Sequence, residues 1–183
     1  MLSEDAESAG QSGLRWVLSQ VQSPEPTGGG PAPGRGGAGL GNDFYAGAAG
    51  VLFACAEARL GGRPAADELA SLMRDRLVAA GNGPHTGDGE GGEEPGLYVG
   101  VAGRLVGLQT WARVADDPTA ETAADRLSDH APQWAGDRSD HDIISGDAGV
   151  LLALVHATTD TGLAAGVGER LLAAAVPAGA GLD

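Results

Sequence analysis

Sulfur, positive charge, aromatic rings and long apolar runs are all scarce in this 183-residue sequence, and each shortage excludes something. Cys55 is the only cysteine, so no disulfide can form within the chain, and a lone thiol fits a reducing compartment. Eleven Lys and Arg stand against 25 Asp and Glu, a net charge of −14. Nucleic-acid binding needs clustered positive charge, so this balance argues against such a partner. No stretch approaches the roughly 20 apolar residues of a membrane span. The opening MLSEDAESAG lacks the basic and apolar regions of a signal peptide. A cytoplasmic protein with no membrane partner is expected. Aromatics are only 4% of the chain and strand-type alternation is nearly absent. With alanine abundant, that points to closely packed helices rather than a β-sandwich.

What is present is helical periodicity, in sections. Residues 1–24 form an N-terminal helical segment, with Leu14, Val17 and Val21 on one face. Residues 25–42 are a Gly/Pro-rich loop. Its glycines lack the Gly-Lys-Ser/Thr of a phosphate loop, and Arg35 is its only base. Residues 43–183 then alternate two kinds of helix. GVLFACAEARL, GRLVGLQTWARV and GVLLALVHAT are apolar almost all round. AADELASLMRDRLVAAG, TAETAADRLSDHAPQWA and AAGVGERLLAAAV are amphipathic. Helices of the first kind belong inside and those of the second cover them. Short links such as GGRP and ADDP make each pair an antiparallel hairpin.

The apolar helices start alike: DFYAGAAGV from Asp43, GLYVGVAGR from Gly96 and DIISGDAGV from Asp142. Gly47 and Gly50, Gly100 and Gly103, and Gly146 and Gly149 frame the three copies, whose first glycines lie 53 and 46 residues apart. With 32 Gly and 33 Ala, Gly-x-Ala-Gly alone arises about once by chance, and a fourth copy does sit at Gly36–Gly39 with no helix behind it. The preceding apolar pair, the following helix and the spacing distinguish the three others as an internal repeat. Glycine there permits φ > 0 at the turn and close approach to a neighbouring backbone. Such starts repeated around an axis gather positive helix ends near a common centre. The expected fold is all-α, an incomplete α/α toroid of about three to four hairpins.

At these residues the chain resembles the lanthionine synthetase C-like family, whose inner helices begin with repeated Gly-x-x-Gly motifs. DIISGDAG matches the family's Asp-apolar-Ile-x-Gly-x-Ala-Gly signature, and FYAGAAG and LYVGVAG its sister repeats. The resemblance implies a toroid related to zinc-dependent cyclases. In these, a precursor-peptide cysteine adds to a dehydroalanine or dehydrobutyrine to close a thioether ring. It also implies a precursor-peptide partner, and Asp142 as an active-site acid or base. Family zinc is held by Cys-x-Gly and Cys-His-Gly motifs. Neither occurs before the chain ends at Asp183, so no metal ligand is assigned and no cofactor is expected in this chain. The likeness covers the first half of a family toroid, and a truncated product, a fragment or a degenerate copy, inactive alone, is expected, with uncovered helix faces implying self-association. Two other readings stand beside it: a peptide-binding or scaffold module of the same fold, and a sugar-processing α/α toroid using Asp43 and Asp142 as paired carboxylates.

Each candidate residue has a plainer role to set against chemistry. Asp142 and Asp43 share a repeat position, which favours a cap or loop anchor, whereas Gly96 fills that position in the middle copy. Asp147 reads as a first-turn acid complementing the helix dipole. His141 neighbours Asp142 but adjacent side chains diverge, and His156 on an inner helix is expected to bond a carbonyl. His85, Asp88, Glu90, Glu93 and Glu94 lack the frame of a calcium loop and read as a solvated acidic segment. Cys55 reads as a buried structural thiol. Trp16, Trp111 and Trp134 read as packing residues.

Overall fold

The computed structural model describes residues 12–13, 40–63, 66–81, 94–134, 140–157 and 161–175. The helical segment 1–24 and the loop 25–42 lie outside these residues except at 12–13 and 40–42, as do Trp16 and His85 to Glu93. The described residues form helices α1 (Ala48–Leu60), α2 (Ala66–Gly81), α3 (Val101–Ala115), α4 (Pro118–Asp129), α5 (Ala131–Trp134), α6 (Asp147–Ala157) and α7 (Thr161–Ala174). There is no strand among them, and none of these helices is long and apolar enough to cross a membrane.

Three hairpins, α1–α2, α3–α4 and α6–α7, stand side by side. The inner helices α1, α3 and α6 pack in that order, and each is backed by its own outer helix. This is the two-layered arc that the paired helix types imply. Leu52, Leu69, Met73, Leu77, Leu105 and Leu108 fill one core between the first two hairpins. Val106, Val150, Ala153, Leu154 and Val167 fill a second between α3 and the last hairpin. The middle helix α3, flanked on both sides, is buried along most of its length.

Local chemistry ends and starts the helices. At the end of α1, Gly62 takes a left-handed φ of 75° while Gly61 N–H donates to Glu57 O. Asp116 ends α3 in the same left-handed region, at φ 55°. Asp117 then caps α4, its Oδ1 accepting from Thr119 and Ala120 N–H at 3.0 and 3.1 Å, and Pro118 occupies the first turn where no N–H is needed. The segment expected to be one helix through Trp134 breaks at His130 into α4 and α5. Pro132 has no N–H to continue the ladder.

Cys55 is fully buried in the first core. Burial, with the Asp67 carboxylate adding to it, pushes its thiol up to about 12. The folded chain should therefore be inert to a thiol-reactive chromogenic disulfide at neutral pH and react once denatured. The raised value also has a stability sign: the thiol's contribution is whole below the unfolded value of ~8.5 and is lost as pH rises towards 12. Fast stoichiometric labelling of the folded chain would contradict this burial.

Candidate functional site

The three repeat loops, 43–46, 96–99 and 142–145, lie at one end of the arc, and backbone hydrogen bonds stitch them together. Phe44 and Tyr45 N–H both donate to Tyr98 O, at 3.1 and 3.0 Å. Tyr98 and Val99 N–H both donate to Ile144 O, at 3.1 and 3.4 Å. The acceptor is the same repeat position each time, the second large apolar residue before the helix.

Glycine permits this closeness. A Cβ on Gly103 would lie 2.1 Å from Leu97 O and 2.6 Å from Phe44 Cβ; one on Gly149 would lie 2.3 Å from Ile143 O and 2.6 Å from Leu97 N. Close approach is therefore the reason for glycine here, and the expected positive φ is not found. Gly47 and Gly100 are extended, at φ −120° and −124°. Gly96 replaces the repeat aspartate for a related reason, since its Cβ would meet Ile144 O at 2.2 Å.

The helix starts that the repeat gathers at this end are each bonded by their own loop. Ala48, Val101 and Asp147 N–H donate to Gly41, Glu94 and Asp140 O at 2.8, 2.9 and 3.1 Å, each acceptor seven residues back. Each loop thus satisfies the first donor of its own helix.

Asp142 closes the turn of the third loop. Its Oδ1 accepts from Ile144 N–H and, at 2.8 Å, from Ser145 N–H, and its Oδ2 lies 3.0 Å from Ser145 Oγ. The Ser145 N–H holds its carboxyl below the ordinary range, helped by the Ser145 hydroxyl and Ile144 N–H. Asp142 is exposed and ionised at neutral pH, so it is an acceptor and a weak base rather than a proton donor. Asp43 does the same in the first loop, accepting from Ala46 N–H at 2.7 Å. Asp140 is a partner that motif reading missed: its Oδ2 lies 2.9 Å from Ser145 Oγ. Its signal was the acid seven residues before the helix start, shared with Glu94.

The other candidates separate. Asp147 is fully buried in the first turn of α6, its Oδ2 facing Arg170 Nε at 3.4 Å. It therefore meets an outer-helix cation as well as the helix dipole. His156 bonds Thr110 Oγ1 at 3.0 Å, across α3 and α6, rather than the expected carbonyl. Burial, then the Arg113 guanidinium, lower its pKa. His141 is exposed and no hydrogen bond joins it to Asp142. Trp111 is core and donates to Asp117 Oδ2 at 3.1 Å, and Trp134 packs against both cores.

What the loops present outward is apolar: Tyr45 is 79% exposed, Val99 46% and Ile144 52%. The rings of Tyr45 and Tyr98 meet edge-on at 6.4 Å, and Phe44 continues the contact inward to Phe53. Asp43, Asp140 and Asp142 border these tips. A cavity of about 180 Å³ beside the first two loops is lined by Asn42, Asp43, Glu94 and the buried Arg104 among others. It is smaller than the roughly 300–1,000 Å³ of pockets that enclose drug-sized ligands.

Among the described residues the donor set does not fit zinc. No three His, Cys, Asp or Glu side chains among them come together as ligands, and the thiol of Cys55 is buried and neutral.

No curated protein and no solved structure matched the chain. The family model described as lanthionine synthetase C-like protein matches residues 39–176, which takes in all three stitched loops and all three hairpins. Over most of its length, the chain belongs to the lanthionine synthetase C-like family.

Proposed function

We propose that this chain holds a peptide across its stitched loops, as a peptide-binding member of a family associated with thioether cyclisation, and does not itself form the thioether. The observation that carries the reading is the row of exposed apolar tips, Tyr45, Val99 and Ile144, held in register by inter-loop hydrogen bonds and bordered by carboxylates. That surface suits an extended segment rich in apolar and dehydrated residues with a cationic flank.

Ring closure would form a bond from a cysteine sulfur to the β-carbon of a dehydroalanine. The thiol gives up its proton and the α-carbon gains one. The second transfer needs a proton donor, which ionised Asp142 does not supply, and the first needs a thiol activator, which the described donor set does not provide.

The test uses a synthetic peptide carrying one cysteine and one dehydroalanine. Calorimetry should register binding, and Tyr45→Ala should weaken it about tenfold, the effect of losing one partly buried ring. Asp142→Asn keeps the turn's acceptor oxygen and should reduce binding and its salt dependence. Because the addition conserves mass, chemistry is read as loss of free thiol, which should proceed no faster with the protein and zinc than without. Absence of binding would overturn the peptide-holding reading. Thiol loss that depends on protein, zinc and Asp142 would make the chain a cyclase.

A further inference from the structure

The three inner helices share a two-residue device that leaves the ends of the arc complementary. At the sixth and seventh residues after the first repeat glycine stand Phe53-Ala54, Val106-Gly107 and Leu152-Ala153, a large residue followed by a small one. The large residue faces forward and the small one back. Val106 is buried in the core it shares with Val150, Ala153 and Leu154 of the next hairpin, and Phe53 packs into that core behind it. Gly107 approaches the helix before it so closely that a Cβ would lie 2.7 Å from Ala49 O. At the two ends the device has no counterpart among the described residues. Leu152, the equivalent of buried Val106, is 49% exposed, with Val155 67% exposed one turn on. Ala54, the equivalent of Gly107, is exposed on α1.

The loops show the same polarity. Phe44 lies over Gly103 and Leu97 over Gly149. Ile143 is next in that series and is exposed. For Gly50, at the other end, the nearest atoms all belong to its own loop. The Tyr98 and Ile144 carbonyls each accept two N–H groups from the loop before. Tyr45 O, the equivalent acceptor, receives no hydrogen bond among the described residues. Conversely, the Ile144 and Ser145 N–H groups, equivalent to the Tyr98 and Val99 donors, turn back onto Asp142. One end therefore offers large side chains, with its backbone donors held by Asp142. The other offers a small-residue flank and a backbone acceptor.

From this we infer that a second copy of the chain docks head-to-tail. The α6 flank of one copy, with Leu152, Val155 and Ile143, packs on the α1 flank of the next, at Ala54 and Gly50, and continues the inter-hairpin seam between chains. The contact joins two different surfaces, so it can either close on itself or add further copies. It is distinct from peptide binding at the loop tips and does not depend on it.

Sedimentation of the purified chain over a roughly hundredfold concentration range tests it. The wild type should pass from the mass of one chain to that of two or more. Leu152→Glu blocks one end and Ala54→Glu the other. Both sites are exposed, and circular dichroism should find both variants folded. Each variant alone should lose at least tenfold in association and sediment as a monomer. An equimolar mixture retains one intact tail and one intact head, and should form dimers and nothing larger. Val155→Glu should repeat the Leu152→Glu result if that variant folds poorly. A wild type that stays monomeric throughout overturns the inference, as does a mixture that fails to associate while the wild type does, since that pattern marks a contact between like ends.

Discussion

Gly103→Ala should remove at least about 3 kcal/mol of stability, a large share of what a domain of this size possesses. The new Cβ would sit 2.1 Å from Leu97 O and 2.6 Å from Phe44 Cβ, so it strikes its own loop and the preceding one together. Neither can retreat cheaply. Leu97 belongs to the loop that donates to Ile144 O, and Phe44 N–H is bonded to Tyr98 O. Relief therefore means parting hairpins along the seam. Gly166→Ala in α7 makes the same chemical change where nothing lies within 4 Å of the added carbon. There alanine's helix preference should prevail, with a gain of about 0.5–1 kcal/mol. Urea denaturation of the two variants should move the midpoint in opposite directions. An unchanged midpoint for Gly103→Ala would mean that the loops are not tightly stitched.

Asp117→Ala should cost about 2–4 kcal/mol, because one carboxylate serves three helices. Its Oδ1 caps α4, while its Oδ2 accepts from Arg74 of α2 at 2.7 Å and from Trp111 of α3 at 3.1 Å. Burial pushes this carboxyl up, but the Arg74 bond, with the Ala120 and Trp111 N–H groups, outweighs that and holds it below the ordinary value. The pH dependence follows from that direction. The unfolded chain takes up this proton first, near an unfolded value of ~3.9, so the stabilisation is complete above that and lost as pH falls through the folded value. Wild type and variant should differ most near neutrality and converge in acid. Asp117→Asn keeps the cap oxygen and should lose about half as much. A difference that persists unchanged below pH ~3 would assign the effect to packing rather than to charge.

The helical class, the pairing of apolar with amphipathic segments and the thrice-repeated start were all legible in the sequence, because each is a local pattern. A helix buried all round must be apolar all round, and a backbone that must pass within contact of another must carry glycine. The repeat located Gly103 and Gly149 but left two causes open, since tolerance of positive φ and tolerance of close approach select the same residue, and the backbone geometry selects close approach. His156 reaching Thr110, Asp147 meeting Arg170 and Asp117 gathering α2, α3 and α4 involve partners 46, 23 and up to 43 residues away, and no periodicity encodes those pairings.

Asp142 shows the division most plainly. Its place in the repeat marked it as a loop anchor, and the family resemblance marked it as a candidate for chemistry. Asp43 bonds the last N–H of its own turn in the same way, so that anchoring is common to both copies, and the bond from Ile144 N–H is what the last described loop adds. In the middle loop the equivalent N–H groups bond the next hairpin. In the third loop they close on the Asp142 carboxylate instead. The sequence by itself determined the repeated unit, because hydrophobic burial and glycine's lack of a side chain act within a few residues. Only the tertiary structure decided which copy lies at an edge, because the fate of a hydrogen-bond donor depends on what is packed beside it.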